Sequence, residues 1–211
     1  MEKRKIVLFD FDGVIADTFD LNFNINRKID PGIKTEDDYR KRFDGNINNW
    51  EKDLGRSEGE IKKADEEFLS RYIPVMAGAN VFGGMREILS ELEKSYILII
   101  ISSTVASLVN EFLERNDLGC YFEKLDNSKI IHRNKTDRVK KVFEKYGVGP
   151  EDCVFITDTL GDMREAAGCG VGSIGVAWGF QKKESLIMGN PSGIAENPAG
   201  LPVLIADYFK N

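Results

Sequence analysis

The sequence predicts an α/β fold: a parallel sheet core with an all-helical segment inserted after its first strand. Three observations carry this. From Val81 onward, short apolar runs alternate with segments whose apolar residues recur every three or four positions. A similar run, Ile6-Val7-Leu8-Phe9, lies near the start of the chain. Between the two, Phe19 to about Ile73 is polar and charged, with helical spacing and no strand-like run. Strands alternating with helices pair in parallel and are covered on both faces. The core is therefore read as 1–16 together with 81–211, and the helical cap as 17–80.

Composition sets the bounds. At 211 residues and 42% hydrophobic, the chain can build one full core and a smaller appendage. A net charge of -6 argues against general nucleic-acid binding, which needs a basic face. It leaves room for a small phosphorylated ligand, because local fields outweigh the total. Cys120, Cys153 and Cys169 are scattered and lack C-x-x-C spacing. They read as reduced and structural, which suits a cytoplasmic protein. The start, MEKRK and then four apolar residues, does not read as a signal peptide. One of the longest uncharged stretches, Ala166 to Gln181, is interrupted by five glycines and reads as turns around a strand, not a membrane span. The expected state is a monomer or weak homodimer.

In chain order, Ile6–Phe9 is a buried strand, closed by Asp10, Asp12 and the turn-former Gly13. Asp17-Thr18 starts a helix, with either residue able to cap. Ile61, Ala64, Phe68 and Tyr72 form a helical stripe; Pro31-Gly32 and Asp44-Gly45 are turns between helices. Met85, Ile88, Leu89 and Leu92 mark a helix, and Tyr96 to Ile101 a strand ending in Ser102-Ser103-Thr104. Val105, Leu108, Val109, Phe112 and Leu113 mark the next helix, which Ser103 or Thr104 could cap. Lys129 to His132 is read as a short strand, and Val139, Val142, Phe143 and Tyr146 as a helix opened by Lys135. Cys153 to Ile156 is a strand, Leu160 to Gly168 a helix, and Ser173 to Val176 a strand. Short helices are expected over Lys182 to Met188 and Ala199 to Phe209. The result is a three-layer, Rossmann-like sheet core with its helical insertion.

The polar signals cluster just past the carboxyl ends of these strands, where open parallel sheets bind ligands. Asp10 and Asp12 follow the first strand, two apart and on one side of an extended chain. Carboxylates that close repel unless a proton or cation lies between them. Ser102 follows the second strand, and Asp158, with Asp162 one helical turn on, a later one. Carboxylates, a hydroxyl and a lysine suit a phosphoryl group with a divalent cation. Mg2+ takes oxygen ligands and usually one or two carboxylates. Asp10 and Asp158 could supply these, with a backbone carbonyl near Asp12. One Asp can then attack phosphorus while the other moves a proton. Ser102 and the free amides of the following turn could hold phosphate oxygens.

The blander readings stay beside these. Asp158 and Asp162 are also what an ordinary acidic helix start looks like. Ser103 competes with Ser102 for the phosphate role. Lys135 has Lys129, Lys140 and Lys141 for neighbours in sequence. His132, the only histidine, reads as structural or exposed. Arg40, Lys41 and Arg42, and Arg42 above all, could reach an anionic group of a substrate or could end a solvated helix. Trp178 packs near the site mouth at best. The glycines from Gly168 to Gly179 have no phosphate-loop spacing.

FDFDGVIAD, IIISS, NK and FITDTLGD, in this order, resemble the haloacid dehalogenase-like (HAD) superfamily, in the phosphoglycolate phosphatase-like branch with a small helical cap. The resemblance spans the whole chain and implies an aspartyl-phosphate mechanism with Mg2+. It implies Asp10 as nucleophile and Asp12 as general acid/base. It implies Ser102 as the phosphate-binding hydroxyl and Lys135 as the lysine that balances the intermediate's charge. The metal set would be drawn from Asp10, Asp12, Asp158 and Asp162, with Asp162 a ligand or the partner of one. Family members that cleave carbon–halogen bonds lack an acid two residues after the nucleophile, so Asp12 points to phosphate chemistry. Thr157 stands where the family more often has Gly, and is expected to leave the chemistry untouched. The expected activity is hydrolysis of a small phosphomonoester. A sugar phosphomutase on the same scaffold is the alternative, and a non-catalytic phospho-ligand module the remote one. The cap sequence does not separate phosphatase from mutase, and the identity of the substrate is not legible.

Overall fold

The computed structural model describes residues 5–45, 55–123 and 135–210. Five parallel strands form the sheet, in the order β4-β1-β5-β6-β7: β1 Ile6–Phe9, β4 Ile97–Ile100, β5 Cys153–Thr157, β6 Gly172–Val176 and β7 Gly193–Ala195. β1 is central. Its Phe9 is in register with Ile100 on one side and Ile156 on the other. Every side chain of β1 is fully buried, which explains its unbroken apolar run: both faces are covered.

Alternation along the strands splits the core in two. Val7, Phe9, Leu98, Val154 and Ile156 pack beneath three helices, α4 (Met85–Leu92), α5 (Ala106–Arg115) and α9 (Leu201–Lys210). Ile6, Leu8, Ile99 and Phe155 pack on the other face against α6 (Lys135–Tyr146) and α7 (Leu160–Gly168). The predicted stripe of α4 is buried at all four positions. A short helix, α8 (Lys183–Ile187), lies between β6 and β7. Cys120, Cys153 and Cys169 are free thiols. Among the described residues no helix is long and apolar enough to cross a membrane.

Between β1 and β4 the chain makes a helical excursion. It leaves through β2 (Ala16–Asp17) and returns through β3 (Asn80–Val81), which pair antiparallel with Asp17 opposite Asn80. The described helices of the excursion are α1 (Phe19–Ile29), α2 (Glu36–Arg40), a 3-10 turn at Lys41–Phe43, and α3 (Glu58–Met76). Capping boxes start two of them: Thr35 with Asp38 for α2, and Ser57 with Glu60 for α3.

Several expectations need adjusting. Tyr96 and Ile101 lie outside β4. β2, β3 and β7 were not anticipated, since two or three residues containing Asn, Asp or Gly show no strand periodicity. Thr18 is the residue before α1, but its hydroxyl caps nothing. Val105, not Ser103 or Thr104, precedes α5. The stripe Ile61, Ala64 and Phe68 is only half-buried. The strand proposed at Lys129 to His132, and His132 itself, lie outside the described residues.

Candidate active site

The parallel register brings the strand-end residues together. Asp10 continues β1 and donates its amide to the Ile156 carbonyl at 2.9 Å. Ser102 and Asp158 follow the strands on either side of it. Asp10 Oδ1 accepts the Phe11 amide at 2.7 Å. Its Oδ2 is 2.7 Å from Lys135 Nζ, and the same ammonium donates to Asp162 Oδ2, also at 2.7 Å. Lys135 is buried and opens α6, as the sequence implied. A lysine is kept dry there only because two carboxylates share its charge.

Asp158 is fully buried, and its Oδ2 accepts the Phe180 amide at 2.6 Å. Its Oδ1 is also buried and has no hydrogen-bond partner among the described residues. Gly13, at φ +75°, and Gly179 allow the chain to pass this close. A Cβ on Gly13 would fall 1.9 Å from Asp158 Oδ2, and one on Gly179 2.4 Å from it.

Asp10, Asp158 and Asp162 each present an oxygen within 4.8 Å of the others. Burial raises the Asp10 carboxyl well above the ordinary carboxylate range, against the pull of Lys135. Burial also lifts Asp158, to about 7, although the Phe180 amide opposes it. Burial acts the same way on Asp162, but Lys135 and its hydrogen bonds prevail and lower it. Three acids against one lysine leave an excess of negative charge in a dry site. A hard divalent cation relieves that, and the open oxygen of Asp158 is the donor such an ion needs. The residues therefore fit Mg2+.

Asp12 stands apart from this trio, and its carboxylate is taken up by hydroxyl donors. Its Oδ1 accepts Thr18 Oγ1 at 2.8 Å and Tyr72 Oη at 2.7 Å, and its Oδ2 accepts Thr104 Oγ1 at 2.6 Å. Ser102 is buried and its Oγ accepts the Thr104 amide at 2.9 Å. Thr157 departs from expectation. Its hydroxyl donates to Asp162 Oδ2 at 3.0 Å, so it touches the acid cluster directly. Arg42 is buried in the helical segment and pairs with Asp30, which also takes Arg56 at 2.6 Å. Trp178 donates to the Val14 carbonyl at 3.2 Å and packs on Phe82.

A cavity of about 320 Å3 lies over these groups. Asp10, Asp12, Ser102, Ser103, Lys135, Asp158 and Asp162 line its floor, and Ile61, Phe68, Tyr72 and Arg42 its opposite wall. Asp10, Asp12, Arg42, Ser102, Ser103, Lys135, Asp158 and Asp162 thus face one space, whereas Arg40, Lys41 and Trp178 do not line it. Thr18, Tyr72, Thr104 and Thr157 were missed as site residues. Thr104 had a signal in its position two after Ser102, whereas Tyr72 reads only as part of a stripe.

The family model described as haloacid dehalogenase-like hydrolase matches residues 7–176. The chain belongs to that family. It is thus an enzyme of a hydrolase family, and several of its relatives are named phosphoglycolate phosphatase. It is 22% identical over 200 residues to a phosphoglycolate phosphatase of Synechococcus elongatus, covering 92% of this chain and 94% of the relative. It is 24% identical to a 5'-nucleotidase of Pseudomonas aeruginosa, covering 96% of each. The fold of this haloacid dehalogenase-like chain is that of a predicted phosphatase from Clostridium acetobutylicum, with a TM-score of 0.81 at 20% identity over 97% of this chain and 99% of the other.

Proposed function

We propose that the protein is a Mg2+-dependent phosphatase that hydrolyses a small phosphomonoester through an aspartyl-phosphate on Asp10. The observation that carries this is the Asp10 carboxylate, held by the Phe11 amide and Lys135 beside an Asp158 oxygen with no partner among the described residues. A carboxylate fixed by two donors on the floor of a cavity is oriented for attack, not for a turn.

An Asp10 oxygen forms a bond to phosphorus and the bond from phosphorus to the ester oxygen breaks. Asp12 gives its proton to that leaving oxygen. Asp12, now a carboxylate, takes a proton from water as the water attacks phosphorus. The Asp10–phosphorus bond breaks, phosphate leaves, and the Asp10 carboxylate is restored. Ser102 and Lys135 bind the phosphoryl oxygens, with Ser103 beside them. Asp10, Asp158 and Asp162 would hold Mg2+, which when bound neutralises charge between the nucleophile and the phosphoryl group. Residues 17–80 act as a cap that excludes water and contacts the leaving group, with Arg42 in its wall. The substrate is a small phosphorylated metabolite, and the free cysteines suit a reducing cytoplasm.

The test is a phosphomonoester panel with purified protein. With Mg2+, phosphate is released from at least one member; EDTA stops this and added Mg2+ restores it. Hydrolysis of no member overturns the reading. Glucose 6-phosphate accumulating from glucose 1-phosphate with little free phosphate would replace hydrolysis by transfer.

A further inference from the structure

We infer that Tyr72 is a positioning residue for the acid/base Asp12, so that the proton carrier is fully oriented only while the helical insertion is seated on the sheet. The inference rests on the phosphatase reading above and concerns how that reading's proton step is controlled.

Asp12 is gripped from three separate parts of the chain. Thr104 comes from the loop after β4, in the core. Thr18 lies at the root of the insertion, where its hydroxyl is turned from the α1 start toward Asp12. Tyr72 comes from α3, 60 residues away in sequence, and crosses the cavity wall to reach Oδ1 at 2.7 Å. The Tyr72 ring is stacked on Phe68 at 5.1 Å with an interplanar angle of 20° and is almost fully buried. Its hydroxyl therefore has little freedom to point elsewhere. Of the three hydroxyls, only the one from Tyr72 belongs to the body of the insertion.

The chemistry of the proton step makes this grip consequential. A general acid works only within hydrogen-bond reach of the leaving oxygen and in the right orientation. A short Asp side chain has two torsions, and each hydroxyl on its carboxylate removes freedom from them. Thr104 alone occupies Oδ2, so Tyr72 and Thr18 decide the rotation of Oδ1. Withdrawal of α3 leaves Thr18 as the sole partner of Oδ1. The acid is then less well placed, and proton transfer to solvent in an open site is disfavoured. Loss of the Tyr72 hydroxyl leaves no oxygen of Asp12 orphaned, so the fold tolerates Tyr72→Phe.

The experiment measures kcat/KM of wild type and Tyr72→Phe on an alkyl phosphate and on p-nitrophenyl phosphate. This constant covers steps up to departure of the leaving group. An alkoxide needs Asp12's proton; p-nitrophenolate leaves nearly without it. Tyr72→Phe is expected to lose roughly tenfold or more on the alkyl ester and to stay within about twofold on p-nitrophenyl phosphate. The aryl ester also reports that the variant is folded. Equal losses on both esters would mean a structural role, and no loss on either would mean no role; each overturns the inference while leaving the phosphatase reading intact. A wild-type chain that hydrolyses neither ester nor any other phosphomonoester overturns both.

Discussion

β1 buries all four of its side chains completely, while α3, with 19 residues, buries only Tyr72 and Met76. The contrast separates the two regions that share the cavity. The central strands β1 and β5 are roofed by helices, so their apolar residues leave water almost entirely. The helical insertion turns much of its apolar stripe toward the cavity instead. Its links to the core are part aromatic, with Phe19, Tyr39 and Phe43 packed around Phe180, and part polar. Gln181 Nε2 donates to the Arg40 carbonyl at 3.1 Å and to Asp44 Oδ1 at 2.7 Å, Arg40 reaches the Phe180 carbonyl, and Tyr72 reaches Asp12. A mixed seam of this kind holds less tightly than the continuous apolar packing within the sheet core. The sheet half fixes the charges, and the helical half closes the cavity over them.

Changes that strike each half should therefore differ in kind. The largest effect is expected at Asp10, where Asn keeps the shape but removes the charge that attacks phosphorus. Phosphate release by Asp10→Asn should fall on the order of 10³-fold or more while the variant remains folded, as circular dichroism would report. A variant with wild-type turnover would break the claim that the core carries the chemistry.

Stability should show the next difference. Phe155 is almost completely buried in the core, and Phe155→Ala should cost about 3–5 kcal/mol in urea unfolding. Phe68 on α3 is half-buried, and Phe68→Ala should cost about 1 kcal/mol. Equal costs would mean that the insertion is packed as firmly as the sheet.

The smallest effect concerns pH. Asp30 sits in the insertion, where burial would raise its carboxyl, but the Gly32 amide, Arg42 and Arg56 outweigh burial and lower it. A carboxyl lowered in the folded state stabilises fully above its ordinary value of 3.8 and loses that contribution as pH falls toward the folded value. Proteolysis within the insertion should therefore accelerate below about pH 4. Asp30→Asn should already be more susceptible at neutral pH and should flatten that dependence. A wild-type insertion equally resistant at pH 3 and pH 7 would sink the argument.

Much of this was legible before any coordinates. α7 runs from Leu160 to Gly168, the bounds expected for it, and β1 and β5 occupy the apolar runs that end in Asp10 and Asp158. Long-period patterns and strand-end acids survive in one dimension because each reflects local geometry plus burial. β7 did not, since Gly193–Ala195 is a strand only because β6 lies beside it. Thr157 was expected to leave the chemistry untouched, standing where the family more often has Gly; its bond to Asp162 exists only once α7 turns back over the strand end.

By itself, the sequence determined that a parallel sheet would gather carboxylates, a serine and a lysine at one edge, and that Asp12 would join Asp10 there. Those outcomes need only the alternation of strand and helix and the register of parallel pairing. Tertiary structure alone decided how the gathered groups divide. It set Asp10, Asp158 and Asp162 within 4.8 Å of one another and turned Asp12 toward Thr18, Tyr72 and Thr104. The physical reason is that which oxygen meets which donor depends on side chains from distant segments competing for the same small, dry space, and no local pattern encodes that competition.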